Sequence, residues 1–240
     1  MQMLESLRNK KILFVVAHPD DEIIGTGGTM HKLVKDYGCE VRVLILGEGL
    51  TSRSDKRDTA EWKEKIRIHK MNVENAKDLI GYDSLRLFDF PDNRFDSVDL
   101  IDLIKVIEKE KKEFKVETIF THHGGDLNID HQKTFEAVIT AVRPLTEELV
   151  CNVITFETMS GTEWQVSSDP RKFSPNFFVE LTKKEIETKC RAMECYEFEK
   201  RNFPHPRSSK ALILRAQMWG ISNGVNYAEA FQIIRMIHKK

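Results

Sequence analysis

The chain lacks any apolar run long enough to cross a membrane. Its longest near the N-terminus, "ILFVVA" (12–17), is also too short for the core of a signal peptide. A cytoplasmic protein without membrane insertion is therefore expected. A surplus of charge is missing too: 37 basic residues stand against 38 acidic ones, for a net charge of −1, and no long basic stretch occurs. That balance argues against nucleic acid or an anionic membrane as the main partner. Cysteine is scarce. Cys39, Cys151, Cys190 and Cys195 form no CxxC pair, and reduced thiols are expected; Cys190 and Cys195 fit a zinc pair poorly. Repeats and low-complexity segments are absent. "GTGGT" (25–29) lacks both the lysine of a phosphate loop and the spacing of a dinucleotide fingerprint. Its glycines are better explained by close packing of a helix on a strand.

What is present suits a folded core: 40% of residues are hydrophobic and 31% charged. Strands are expected at 11–17, 40–46, 84–90, 117–122 and 151–158. Helical patterns lie between them, from about Glu22 to Gly38, from Asp58 to Ile80, over "VDLIDLIKVIEKEKKEF" (98–114), and from Asp130 to Pro144. Short apolar strands alternating with helices indicate an α/β fold, with a mostly parallel sheet and helices on both faces. A strand near "NFFVEL" and helices at 183–198 and 208–219 follow, and "SSDPRKFSPN" (167–176) is a loop. The expectation is one domain over 1–240, whose less regular part, 160–240, completes the substrate site.

Ligands of open α/β sheets bind beyond the carboxyl ends of the strands. That rule selects "HPDDE", "GEGLTSR", "PDNRFD" and "HHGGDLNIDH". The first puts His18 beside Asp20, Asp21 and Glu22, directly after a strand. A divalent cation would relieve this crowding of negative charge. Histidine nitrogen and carboxylate oxygen both suit zinc, and catalytic sites commonly use three protein ligands and a water. His18 and Asp21 are three residues apart, as suits two ligands on a turn entering a helix. The third is expected to be His131, with His122 and His123 as rivals. Asp20 then stands next to the bound water as a general base. The plainer alternative is a charged first helical turn favoured by the helix dipole.

"AHPDDE" after a strand, followed further on by "DLNIDH", closely resembles the PIG-L/LmbE-like N-acetylglucosamine deacetylases. "FPDNRFD" and "HPRSS…YAEAF" resemble segments of the bacterial members. The resemblance covers most of the chain. It implies a Rossmann-like fold and zinc-dependent hydrolysis of the N-acetyl group of an amino sugar, with Fe2+ or Co2+ suited to the same ligands. It assigns His18, Asp21 and His131 to the metal and Asp20 to the base. The sequence departs from the family at one position. Several members carry a histidine three residues before the last ligand, and here that residue is Asn128. An amide donates to an oxyanion but cannot protonate a leaving amine. The acid is then Asp20 after it has gained a proton, or a histidine such as His123 or His205. Residues 128 and 131 are expected to share a face of a helix, which would turn the Asn128 amide toward the ion.

Arg53, Asp92, Asn93 and Arg94 follow the second and third strands. They suit sugar hydroxyls or a phosphate, with a solvated loop as the alternative. His205 and Arg207, in "FPHPRSS", are candidates for the same site, and Asp126 is a candidate support for a metal-binding histidine. Trp62, Trp164 and Trp219 are more simply packing residues than a sugar platform. The expected partner is a small amino-sugar substrate, and a homo-oligomer is compatible with the sequence. An amidase for another small amide, or a sugar- or nucleotide-binding module without catalysis, would have the same fold. The retained Asp20 argues against the binding module, since binding alone needs no base.

Overall fold

The computed structural model describes residues 3–55, 57–166 and 168–238. In chain order the elements are α1 (Met3–Ser6), β1 (Lys11–Val16), α2 (Asp21–Tyr37), β2 (Glu40–Gly47), α3 (Lys63–Ile80), β3 (Ser84–Phe90) and α4 (Leu100–Phe114). They continue with β4 (Thr118–His122), α5 (Ile129–Ala141), β5 (Asn152–Phe156), β6 (Phe177–Glu180), α6 (Lys183–Glu194), α7 (Ser209–Asn223) and β7 (Ala228–Met236). The strands form one sheet in the order β3-β2-β1-β4-β5-β7-β6. β1 pairs in parallel with β2 and β4, as β2 does with β3 and β4 with β5; β7 is antiparallel to both β5 and β6. The expected α/β fold with a mostly parallel sheet is thus the observed one.

β1 explains the layering. Its side chains alternate between faces, as strand geometry requires. Ile12, Phe14 and Val16 pack into a core with Ile23, Met30 and Leu33 of α2, Val73 and Ala76 of α3, Met193 of α6 and Leu212 of α7. Leu13 and Val15 face the opposite core, with Leu103 and Ile107 of α4 and Ala137 and Val138 of α5. Being buried on both faces, the strand is apolar throughout instead of alternating. The glycines of 25–29 do bring helix and strand together. A Cβ on Gly25 would lie 2.3 Å from Phe156, and one on Gly28 would lie 2.4 Å from Leu181. Gly38 and Gly81 end α2 and α3 in left-handed conformations, each with a backbone N–H turned back on the helix.

Several elements differ from the sequence reading: α1 was not expected, and α6 ends at Glu194, short of residue 198. α3 begins at Lys63, not Asp58. Asp58 Oδ1 accepts from the backbone N–H of Ala60 and Glu61, a local turn that competes with helix. The strand β7 was not expected. Its polar Glu229 is buried in an ion pair with Lys189, 2.6 Å away, which breaks the apolar signature of an interior strand. No helix among the described residues is long and apolar enough to cross a membrane.

The strand order reverses between β1 and β4. From there β2 and β3 run to one side, and β5, β7 and β6 to the other. In open α/β sheets this switch point opens a crevice at the carboxyl ends of the strands. The segments leaving β1 and β4 carry His18 and His131.

Candidate metal centre

β1 delivers His18 to the crevice, and the chain then turns through Asp20 into α2. Asp20 precedes the first residue of that helix with φ 103°, a conformation that L-residues seldom adopt. The turn brings Asp21 back under His18, whose backbone N–H donates to Asp21 Oδ2 at 2.7 Å. From the other side of the switch point, α5 presents His131 in its first turn. One ligand atom from each of His18, Asp21 and His131 lies within 4.8 Å of the others, and all three residues are buried.

Both histidines are backed by carboxylates. His18 Nε2 lies 2.8 Å from Asp130 Oδ2, a carboxylate that can only accept from it, and Nδ1, 3.5 Å from Asp21 Oδ2, is the nitrogen that would face an ion. His131 Nδ1 lies 3.1 Å from Asp126 Oδ1, and its Nε2 lies 3.4 Å from Asp21 Oδ1. A carboxylate behind each imidazole is the arrangement that orients metal-binding histidines. His18, Asp92 and Asp130 also come close enough together to hold an ion. Their oxygens are already engaged, however. Asp130 accepts from the N–H groups of Asn93 and Phe95, and Asp92 accepts from the N–H and hydroxyl of Ser52. The donor set His18, Asp21 and His131 therefore fits a divalent cation better.

The electrostatics agree with a cation at this place. Burial alone would strip His131 of its proton, but Asp21 and Asp126 outweigh it and raise its pKa to about 9. For Asp21, burial pushes the pKa up, and His131 and His122 reverse that, leaving it well below the usual carboxylate range.

The rival histidines are used otherwise. His122 Nε2 accepts the backbone N–H of Ala17 at 2.9 Å, so no lone pair remains there for a metal. Burial, with the nearby His131, lowers its pKa to about 4. Its ring stacks on His131 at 3.9 Å between centroids and acts as a packing plate. His123 turns away to the backbone oxygen of Arg171 at 2.5 Å and does not line the crevice.

The crevice is a cavity of about 220 Å³ with a predominantly polar lining. Asp20 is buried in its wall, and its Oδ2 accepts no hydrogen bond from the described residues; the nearest cation is Arg207 Nη1 at 3.3 Å. Burial, reinforced by Glu199, Asp21 and Glu22 against the opposing pull of Arg207, raises the Asp20 pKa well above its ordinary value. Asn128 lines the cavity from the position just before α5, not from within its first turn. Its Oδ1 accepts from the N–H of Asp130 and its Nδ2 donates to Asn93 Oδ1, which leaves one amide hydrogen uncommitted. The anticipated shared face of 128 and 131 is therefore replaced by a helix cap.

Asp92, Arg53, His205 and Arg207 all line the cavity; Arg94 does not. The chain turns at Asn93, φ 53°, and Arg94 leaves the crevice with its backbone tied to Pro91 and Ser97. Sequence reasoning missed Asp130 and Glu199. The first adjoins His131 and was legible as a possible support. Glu199 carries no local signal. It is buried and bridges Arg53 and Arg207, accepting from each at 2.5 Å across the fold. Trp164 stands at the cavity edge, half exposed.

The model of the PIG-L family, described as GlcNAc-PI de-N-acetylase, matches residues 13–142, and the chain belongs to that family. A relative from Bacillus cereus, probable N-acetyl-alpha-D-glucosaminyl L-malate deacetylase 2, is 30% identical over 143 residues. The match covers 58% of this chain and 64% of the relative, so the chain spans somewhat less than two thirds of its length. Among solved structures, the N,N'-diacetylchitobiose deacetylase of Pyrococcus horikoshii superposes with a TM-score of 0.74 at 21% identity, covering 98% of this chain and 89% of that one. The 4-carboxy-2-hydroxymuconate hydratase GalB from Pseudomonas putida does so with 0.72 at 19% identity, covering 96% and 98%. At these identities the structural likeness extends to the fold alone.

Proposed function

We propose that the chain is a metal-dependent hydrolase that removes the N-acetyl group from an N-acetylated amino sugar or its conjugate. The observation that carries this reading is the convergence of His18, Asp21 and His131 beside Asp20, a buried carboxylate whose Oδ2 faces Arg207 but accepts no hydrogen bond from the described residues. The family and the Bacillus cereus relative support the same reading.

Zinc is the proposed ion, with Fe2+ or Co2+ suited to the same donors; when bound, it polarises the acetyl carbonyl and makes water more acidic. His18, Asp21 and His131 would hold it, and Asp130 and Asp126 would orient the two imidazoles toward it. Asp20 takes a proton from the attacking water. The same carboxyl group then passes that proton to the amine nitrogen as the C–N bond breaks. Acetate and the free amine leave. The uncommitted Asn128 hydrogen is available to the carbonyl oxygen as negative charge builds on it. Asp92, Arg53 and Arg207 bind sugar hydroxyls or a conjugated group, and the 160–240 region completes the site within a single domain.

The test is acetate release from free, nucleotide-linked and lipid-linked N-acetyl sugars with added zinc. Release that stops on chelation is expected. No release from any of them by metal-loaded protein would contradict the assignment, and a cavity that binds these sugars unchanged would then be a binding module.

A further inference from the structure

The carboxylate behind His131 is itself held in a cradle. Asp126 is buried, and its Oδ1 accepts the backbone N–H of Asn128 at 2.8 Å. Its Oδ2 accepts from the hydroxyl of Thr162 at 2.5 Å. Thr162 stands in the turn after β5, beyond the residues that the family match covers. Its Oγ1 also accepts the N–H of Thr158 at 2.8 Å, so the hydroxyl hydrogen is left for the carboxylate. Gly161 packs its backbone against the same group: a Cβ there would lie 2.5 Å from Asp126 Oδ1. The direction of the carboxylate is thus set by partners other than His131, whose Nδ1 stands 3.1 Å from Oδ1 without an aligned hydrogen bond.

The same turn is fixed from its other end. His122 Nε2 accepts the N–H of Ala17, so the proton of the neutral ring sits on Nδ1, 3.0 Å from Thr158 Oγ1. Ala17 precedes His18. Buried hydrogen bonds therefore run from the backbone before one proposed ligand, through His122, Thr158 and Thr162, to the carboxylate behind another. Within the turn, the N–H groups of Gly161 and Thr162 both return to the backbone oxygen of Thr158, at 3.2 and 2.9 Å. The turn is held as a unit, and it grips the Asp126 carboxylate through the Thr162 hydroxyl. Removing one donor from a buried carboxylate leaves an oxygen unsatisfied and the group free to turn. A metal-binding imidazole is oriented by its carboxylate, so the His131 ring would lose its aim with it.

We propose that Thr162 is a positioning residue of the metal centre: its hydroxyl holds the Asp126 carboxylate against His131 and thereby sets how tightly the ion is bound. The inference rests on the reading of His18, Asp21 and His131 as the ligands. It adds to them an anchor from a part of the chain outside the family match.

Metal affinity tests it without depending on turnover. Zinc is titrated into stripped parent, Thr162→Val and Thr162→Ser proteins in competition with a chromogenic chelator. Thr162→Val should bind zinc about 10–100-fold more weakly, as is typical when an outer partner of a metal-binding histidine is lost. Thr162→Ser retains the hydroxyl and should bind like the parent. A double-mutant cycle identifies the route. In an Asp126→Ala background, Thr162→Val should weaken binding no further, because its effect passes through that carboxylate. Thermal unfolding of the stripped proteins checks that each variant is folded. Should Thr162→Val fail to fold, Gly161→Ala takes its place in the cycle, since its methyl group displaces the same carboxylate. Parental affinity in Thr162→Val, an equal loss in Thr162→Ser, or a loss undiminished by Asp126→Ala would overturn the proposal and leave the metal-centre reading intact. A parent that binds no zinc would end both. Acetate release is scored separately. Zinc held through Thr162 without acetate release would end the hydrolase reading and keep this inference.

Discussion

Asp20 has φ 103°, a strained backbone for a non-glycine residue, and strain of this kind costs about 1–3 kcal/mol. The turn that imposes it carries the carboxylate into the cavity wall beside the proposed ligands. Asparagine tolerates left-handed backbone comparatively well, so Asp20→Asn should fold and keep its metal. It should lose about 10²–10⁴-fold in kcat, since an amide cannot take the water proton. Elemental analysis beside steady-state kinetics reads both, and a fully metallated variant with near-normal kcat would move the base elsewhere. Asn128 needs a finer test because it also caps α5. Asn128→Ala should cost about 0.5–2 kcal/mol of stability from the lost cap. Asn128→Ser should restore most of that, because serine caps well, but not the amide donor. If the donor assists the carbonyl oxygen, kcat falls about 10²–10³-fold in both variants. A serine variant with parental kcat would reduce Asn128 to a cap. Much at this scale was legible in the sequence. His18, Asp21 and His131 stood out because their chemistry follows apolar strands. Glu199 did not, because its partners Arg53 and Arg207 reach it only through the tertiary fold, and Arg94 misled because the turn at Asn93 cannot be read from its neighbours.

α2 is the element on which the centre depends. It starts at Asp21, and its glycines let it sit close against β5 and the residues after β6. Gly25→Ala sets a methyl group 2.3 Å from the Phe156 ring, within the buried core. Overpacking of this kind typically costs about 1–3 kcal/mol. The urea midpoint should fall by the corresponding amount with an unchanged slope. An unshifted midpoint would mean that the ring moves aside freely and that helix-to-strand contact does not constrain α2. The parallel elements were readable because strands buried on both faces are continuously apolar and their helices are amphipathic. β7 was hidden by its buried Glu229, which pairs with Lys189 and also accepts the N–H groups of Gly28 and Thr29. The start of α3 was read too early because Asp58, whose side chain satisfies the backbone N–H groups of Ala60 and Glu61, holds a turn ahead of the helix.

Across the whole molecule, two halves of the chain meet at one cavity. The family match covers residues 13–142, which include the proposed metal ligands. Ser160, Trp164, Glu199, Arg201, His205 and Arg207 come from beyond it and line the same space. On the proposed reading, the first half supplies the chemistry and the second selects the substrate. Charge balance across the centre favours a cation, because two buried imidazoles and a carboxylate converge with further carboxylates behind them. Metal binding to the native state alone would also stabilise it, by about 2.7 kcal/mol at a metal concentration one hundredfold above Kd. The most direct test of the central claim is to strip the protein with a chelator and titrate zinc back, following acetate release from the best N-acetyl sugar and bound metal together. The account predicts no release from stripped protein and recovery that saturates at one ion per chain, with Asp21→Asn and His131→Gln failing to recover. Acetate release that persists in stripped protein, or recovery that does not follow metal bound at these residues, would contradict it.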